Sequence, residues 1–116
     1  MRISFHTRRM IITNTPSIEG YRIVETLGLV SGNMVQSKHI GRDIMAGLKT
    51  IVGGEIAGYT EMLVDARKQA ESRMVASAGS LGANAILNVR FTTSAIAQGM
   101  SELLAYGTAV KVEKVD

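Results

Sequence analysis

Apolar and polar positions alternate in three stretches of the chain and recur every three to four residues in two others. From Tyr21 to Val30, Ile23, Leu27 and Leu29 fall on one side while Val24, Thr26 and Val30 fall on the other, the period-2 signature of a strand. Ser31-Gly32-Asn33 reads as a break, after which Met34–Gln36 resumes the strand. Upstream, Met10–Thr13 is a short apolar piece suited to an edge strand. The Asn14-Thr-Pro-Ser17 turn follows it, with Pro16 fixing φ and Gly20 tolerating positive φ.

Two helices are predicted next. Ile40, Ile44, Leu48 and Ile51 recur at steps of four, four and three, with Ser37 as N-cap and Gly53-Gly54 as stop. The longer helix lies within Glu55–Leu81. Tyr59, Met62, Leu63, Ala66, Ala70, Met74, Ser77 and Leu81 cluster within about 60° of one line at 100° per residue. Glu61 and Asp65 suit its N-terminal end, Gly82 suits the C′ position, and Arg67 and Glu71 stand four apart on the exposed side. Val64 and Val75 fall on the opposite side, where a lone helix carries polar residues. They therefore read as a second contact surface.

Two strands close the chain. In Ala85–Thr93, Leu87, Val89 and Phe91 oppose Ile86, Asn88, Arg90 and Thr92, and Ser94–Ser101 reads as the connection. In Glu102–Glu113, Leu104, Tyr106, Thr108, Val110 and Val112 share one face, and Leu103, Ala105, Gly107 and Ala109 the other. The second face is uncharged and mostly small. A solvated sheet face is polar, so this one is expected to be covered, and a neighbouring copy is the cover the pattern suggests. The sum is a two-layer α+β domain with antiparallel strands and the long helix across one face.

Composition adds three constraints. At 116 residues the chain makes one domain, with residues 10–116 as its body and 1–9 as an extension outside it. Arg2, Arg8 and Arg9 carry the entire formal charge of +3, so the body is balanced and offers no basic stripe for nucleic acid. Met10 is an alternative start. The leader lacks the apolar run of a secretory signal, no segment has the length of a membrane span, and the chain has no Cys. A cytoplasmic protein without membrane attachment is the expectation.

Thr15-Pro-Ser-Ile-Glu-Gly20, Ile23-Val-Glu25, Gly28-Leu-Val-Ser-Gly32, Arg42-Asp43, Ile51-Val-Gly-Gly54, Ala66-Arg67, Leu81-Gly-Ala-Asn-Ala85 and Gly107-Thr-Ala-Val-Lys111 together resemble the YbjQ-like family. That family is also labelled for heavy-metal binding. The resemblance covers essentially all of Met10–Val112. It implies a dodecin-like β-α-β-β subunit and a cyclic homopentamer joined by extra short strands, and it implies no particular activity. Asn33 departs from it, standing where the family usually has Glu.

Candidate chemistry is sparse. His39 and Asp43, four residues apart at the start of the short helix, are the pair that would share a divalent metal, although two ligands are fewer than a closed site takes. The methionines fall mainly on apolar faces and read as core. Glu61, Asp65, Arg67 and Glu71 read as a solvated helix face or, in a ring, the lining of a pore. No phosphate loop, dinucleotide fingerprint or nucleophile with a placed base is present, which argues against an enzyme. The expected role is a homo-oligomeric binding protein holding a metal ion or small ligand at subunit interfaces. Val64, Val75, Ala105, Gly107 and Ala109 are its interface candidates. A ring that binds partners but no small ligand is the rival, and an enzyme with a site between subunits a weaker one.

Overall fold

The structure, a computed structural model, describes residues 9–37 and 57–116. In chain order these form β1 (Ile11–Ile12), β2 (Tyr21–Ser37), α1 (Ala57–Ser80), β3 (Ala85–Ala97) and β4 (Met100–Lys114). The sheet order is β1-β3-β4-β2. Both contacts of β4 are antiparallel, while β1 adds to β3 in parallel, so the sheet is mixed rather than antiparallel throughout. The predicted edge strand at Met10–Thr13 is present as β1. The helix predicted at Ile40–Ile51, with His39 and Asp43, lies outside the described residues.

Helix α1 ends as the glycine at 82 suggests. Gly82 has φ +86°, the Gly82 amide donates to the Gly79 carbonyl (3.0 Å), and the Ala83 amide donates to the Ala78 carbonyl (3.1 Å). This is a Schellman motif, and Ala78 and Ala83, its two apolar partners, both enter the core. The helix begins at Ala57, so Glu61 lies beyond its first turn, which carries no acidic residue. Arg67 and Glu71 do not pair. Asp65 instead accepts a hydrogen bond from Gln69 Nε2 (3.1 Å).

One face of the sheet packs against α1 through Ala70, Met74 and Ala78, which meet Val30, Ile86, Val89, Ala105 and Ala109. Met74, Ala105 and Ala109 are wholly buried. The small face of β4 is therefore covered by the chain's own long helix, and Ala105, Gly107 and Ala109 are core residues rather than an interface to a second copy. Smallness has a local cause. A Cβ on Gly107 would come within 2.8 Å of Ile86 Cγ2 and 2.9 Å of the Leu87 carbonyl oxygen.

Gly32 explains why β2 does not break at Ser31-Gly32-Asn33. The strand runs through it, and α1 lies so close that a Cβ would collide with the backbone at Ala70 and Met74. The glycine is a helix–sheet contact point within a continuous strand.

A bulge changes the face assignment of β3. Asn88 has φ +54°, and the β3–β4 register shifts between Leu87 and Arg90. The extra residue puts Ile86 and Val89 together under α1 and sends Leu87 to the far face, whereas strict alternation pairs Leu87 with Val89. On that far face Ala85, Leu87, Val110 and Val112 form a second cluster, closed by Ile11, Ile18 and Tyr21.

Candidate functional site

The long strands reach past this core. β3 and β4 join through a tight turn at Gln98-Gly99, with Gly99 at φ +77°, so the predicted Ser94–Ser101 connection is mostly strand. Register pairs Ser31 with Tyr106, Asn33 with Leu104 and Ser37 with Met100, then Thr92 with Leu104 and Ser94 with Glu102. The result is a three-stranded arm made of residues 28–37, 90–97 and 100–107. The described residues accordingly extend 56 × 28 × 23 Å.

The arm carries five of the nine exposed large apolar side chains among the described residues. Leu29 is 76% exposed, and Val35, Phe91, Ile96 and Met100 are also exposed. Leu29 and Val35 lie on the face away from α1, because they alternate along β2 with Val30, which packs into the helix core. Phe91 pairs with Ala105 and so lies on the helix side. The β3 residues packed with α1 are Ile86 and Val89, and Phe91 beyond them stays exposed. Leu29 and Phe91 are thus exposed on opposite faces of the arm.

Polar contacts brace the arm. Asn33 Nδ2 donates to Glu102 Oε2 (2.9 Å), and Arg73 Nη1 donates to the Asn33 carbonyl (2.6 Å), tying α1 to β2. At the position where the family resemblance expects Glu, the amide thus supplies a donor to Glu102. A carboxylate there has no proton to give. At the other end of the sheet, Asn84 makes a paired contact with β4. Its Nδ2 donates to the Val112 carbonyl (2.9 Å) and its Oδ1 accepts from the Val112 amide (2.8 Å).

Among the described residues two hollows flank α1. One of about 280 Å³ is lined by Glu61, Val64, Asp65 and Lys68, which places Val64 on the helix's outer side, half-buried. The other, about 340 Å³, is lined by Arg9, Met10, Val75, Gly79, Gly82, Ala83 and Asn84. Val75 is also half-buried, but it packs against the helix–sheet core, so it belongs to the rim of the chain's own interior. The sequence pattern puts the two valines together on the back of the helix, and in the structure they line different hollows.

A heavy-metal site needs several His, Cys, Asp or Glu donors converging on one point. Among the described residues no group of three or more of these side chains is placed to hold a metal ion. The chain has no Cys, and both histidines, His6 and His39, lie outside the described residues, as does Asp43. The described part of a single copy does not form such a donor set. No described helix is long and apolar enough to cross a membrane.

Fold and surface together define a small α+β protein with one helix across a four-stranded mixed sheet and an exposed sheet arm. The chain belongs to the YbjQ-like family, whose model is described as "Putative heavy-metal-binding" and matches residues 10–113. It is 66% identical over 103 residues to a UPF0145 protein of Photobacterium profundum, a match covering 89% of this chain and 100% of that one. A UPF0145 protein of Thermosipho africanus is 57% identical over 105 residues, covering 90% and 97%. Among solved structures, a protein of unknown function from Pediococcus pentosaceus, assigned to the DUF74 family, superimposes with a TM-score of 0.58. It shares 18% identity and covers 90% of this chain and 98% of its own, a likeness of fold.

Proposed function

We propose that this protein is a self-assembling binding subunit, a dodecin-like ring of identical copies that holds a metal ion or small ligand where the copies meet. Leu29 carries the reading. A leucine 76% exposed in the middle of a strand, beside Val35 on the same face, is surface that association removes from water. Five copies follow from the family resemblance, and the metal follows from the family's description. His39 and Asp43 are the residues through which each copy would contribute donors. The second reading is a ring that contacts other macromolecules and holds no small ligand.

Native mass spectrometry of the purified protein separates the readings. A multimer of the 12.4 kDa chain with stoichiometric added mass supports ligand binding. Loss of that mass in His39→Ala or Asp43→Ala identifies it as a metal held there. A multimer without added mass selects the ligand-free ring, and a lone 12.4 kDa species contradicts both.

A further inference from the structure

The hollow of about 340 Å³ lies at the C-terminal end of α1, and Arg9, the first described residue, stands on its rim. Ile11 pairs with Ala85 in parallel, and its amide donates to the Asn84 carbonyl (3.1 Å). Read backwards from β1, the chain therefore runs past Asn84 and Ala83 toward the last turn of the helix. Met10, Val75 and Ala83 give the hollow an apolar wall. Asn84 has both ends of its amide engaged with Val112, and Arg9 is the one charged group among the described lining residues. Gly79 forms part of the lining from within α1. Glycine weakens a helix relative to Ala, and a Cβ at this position would meet nothing within 4 Å, so no described residue calls for its smallness. The last turn of α1 also carries no basic residue of its own, although the negative end of a helix favours a cation.

We infer that the chain's own leader docks in this hollow, with Phe5 against the apolar wall and Gly79, and Arg8 beside the end of the helix. The leader, residues 1–8, lies outside the described residues and joins the body at Arg9. Three observations select it as the occupant. Phe5 stands four residues before Arg9, and four extended residues reach about 13 Å, enough to turn back over a hollow whose rim is Arg9 itself. Its ring supplies the large apolar surface the wall can cover, in a hollow at the small end of the ligand-sized range of about 300–1,000 Å³. Arg8 and Arg9 bring positive charge to a helix end that lacks it. Both partners belong to one copy, so the inference stands apart from the assembly reading. A chain begun at Met10, where the family match also starts, leaves the hollow open. The choice between the two starts then decides whether this surface is free for another apolar group.

Because the chain has no Trp, Phe5→Trp places a single fluorescent reporter in the leader. Blue-shifted emission with weak acrylamide quenching is expected, unchanged on dilution. Solvent-like emission would overturn the proposal. A blue shift lost on dilution would mean that the leader reaches a second copy, and would overturn it as well. Gly79→Gln projects a side chain into the hollow without meeting a described residue. Added to Phe5→Trp, it is expected to return the emission to the solvent-like value. A blue shift that persists there, in a chain with unchanged circular dichroism, would place Phe5 elsewhere and refute the docking site. Thermal melting supplies an arm that needs no change in the hollow. The full chain is expected to melt about 4–8 °C above a chain starting at Met10, and Phe5→Asp to remove that difference. Equal melting temperatures for the two starts would count against docking.

Discussion

Three residues do more for this fold than their side chains suggest. Gly32 lets the backbone of α1 rest on β2, and Gly32→Ala puts a methyl group against helix backbone that has no rotamer to yield. Forced overpacking of this kind costs about 1–3 kcal/mol, so a fall in the denaturation midpoint of that order is expected. An unchanged midpoint would show that the helix lifts away freely. Asn84 acts as a strand partner for Val112, donating and accepting at once. Asn84→Ala leaves a backbone amide and carbonyl short of partners and is expected to cost about 1–3 kcal/mol in chemical denaturation. Asn88→Val forces a β-branched residue into positive φ at the bulge. The left-handed region costs such residues about 1–2 kcal/mol, and Asn88→Gly is expected to be tolerated far better. Comparable loss in both would place the cost in the amide side chain instead.

At the scale of elements, periodicity locates most of what exists and misjudges what covers what. The long helix and its Gly82 cap are legible because apolar spacing and a C′ glycine are local signals. The bulge at Asn88 is not. Period-2 counting has no term for an inserted residue, and one residue in the left-handed region moves Leu87 and Val89 to opposite faces. The small side of β4 is legible as a covered face, but its pattern points to a neighbouring copy as the cover. Only the packed structure shows that a glycine at 32 and alanines at 70 and 78 let α1 settle close enough to do the covering itself. The exposed leucine at 29 is hidden within regular alternation, since a strand pattern does not say which face lacks a partner. The valines on α1 separate in a testable way. Val75 packs on the core, so Val75→Asp is expected to lower the melting temperature of the chain itself. Val64 lines an open hollow with Glu61, Asp65 and Lys68, so Val64→Asp is expected to leave the melting temperature nearly unchanged. A change in native mass in Val64→Asp would bring the outer side of the helix into the assembly. An unchanged mass leaves Val64 out of it.

The described residues form a packed helix–sheet body with a sheet arm whose two outer edges are uncharged and whose face carries Leu29, their most exposed large apolar side chain. Fully burying a leucine is worth about 1.5–3 kcal/mol, and the exposed apolar residues beside it would add to that at each contact. The body needs no second copy to close its core, because Ala105 and Ala109 are already buried within one chain. Folding and association are therefore expected to be separable, with a monomeric variant that retains its secondary structure. Sedimentation velocity of the unmodified chain and of Leu29→Lys, each across a dilution series, tests this most directly. The account predicts a discrete multimer that persists on dilution for the unmodified chain and a folded 12.4 kDa species for the variant. An unmodified chain that sediments as a stable monomer at every concentration would contradict it.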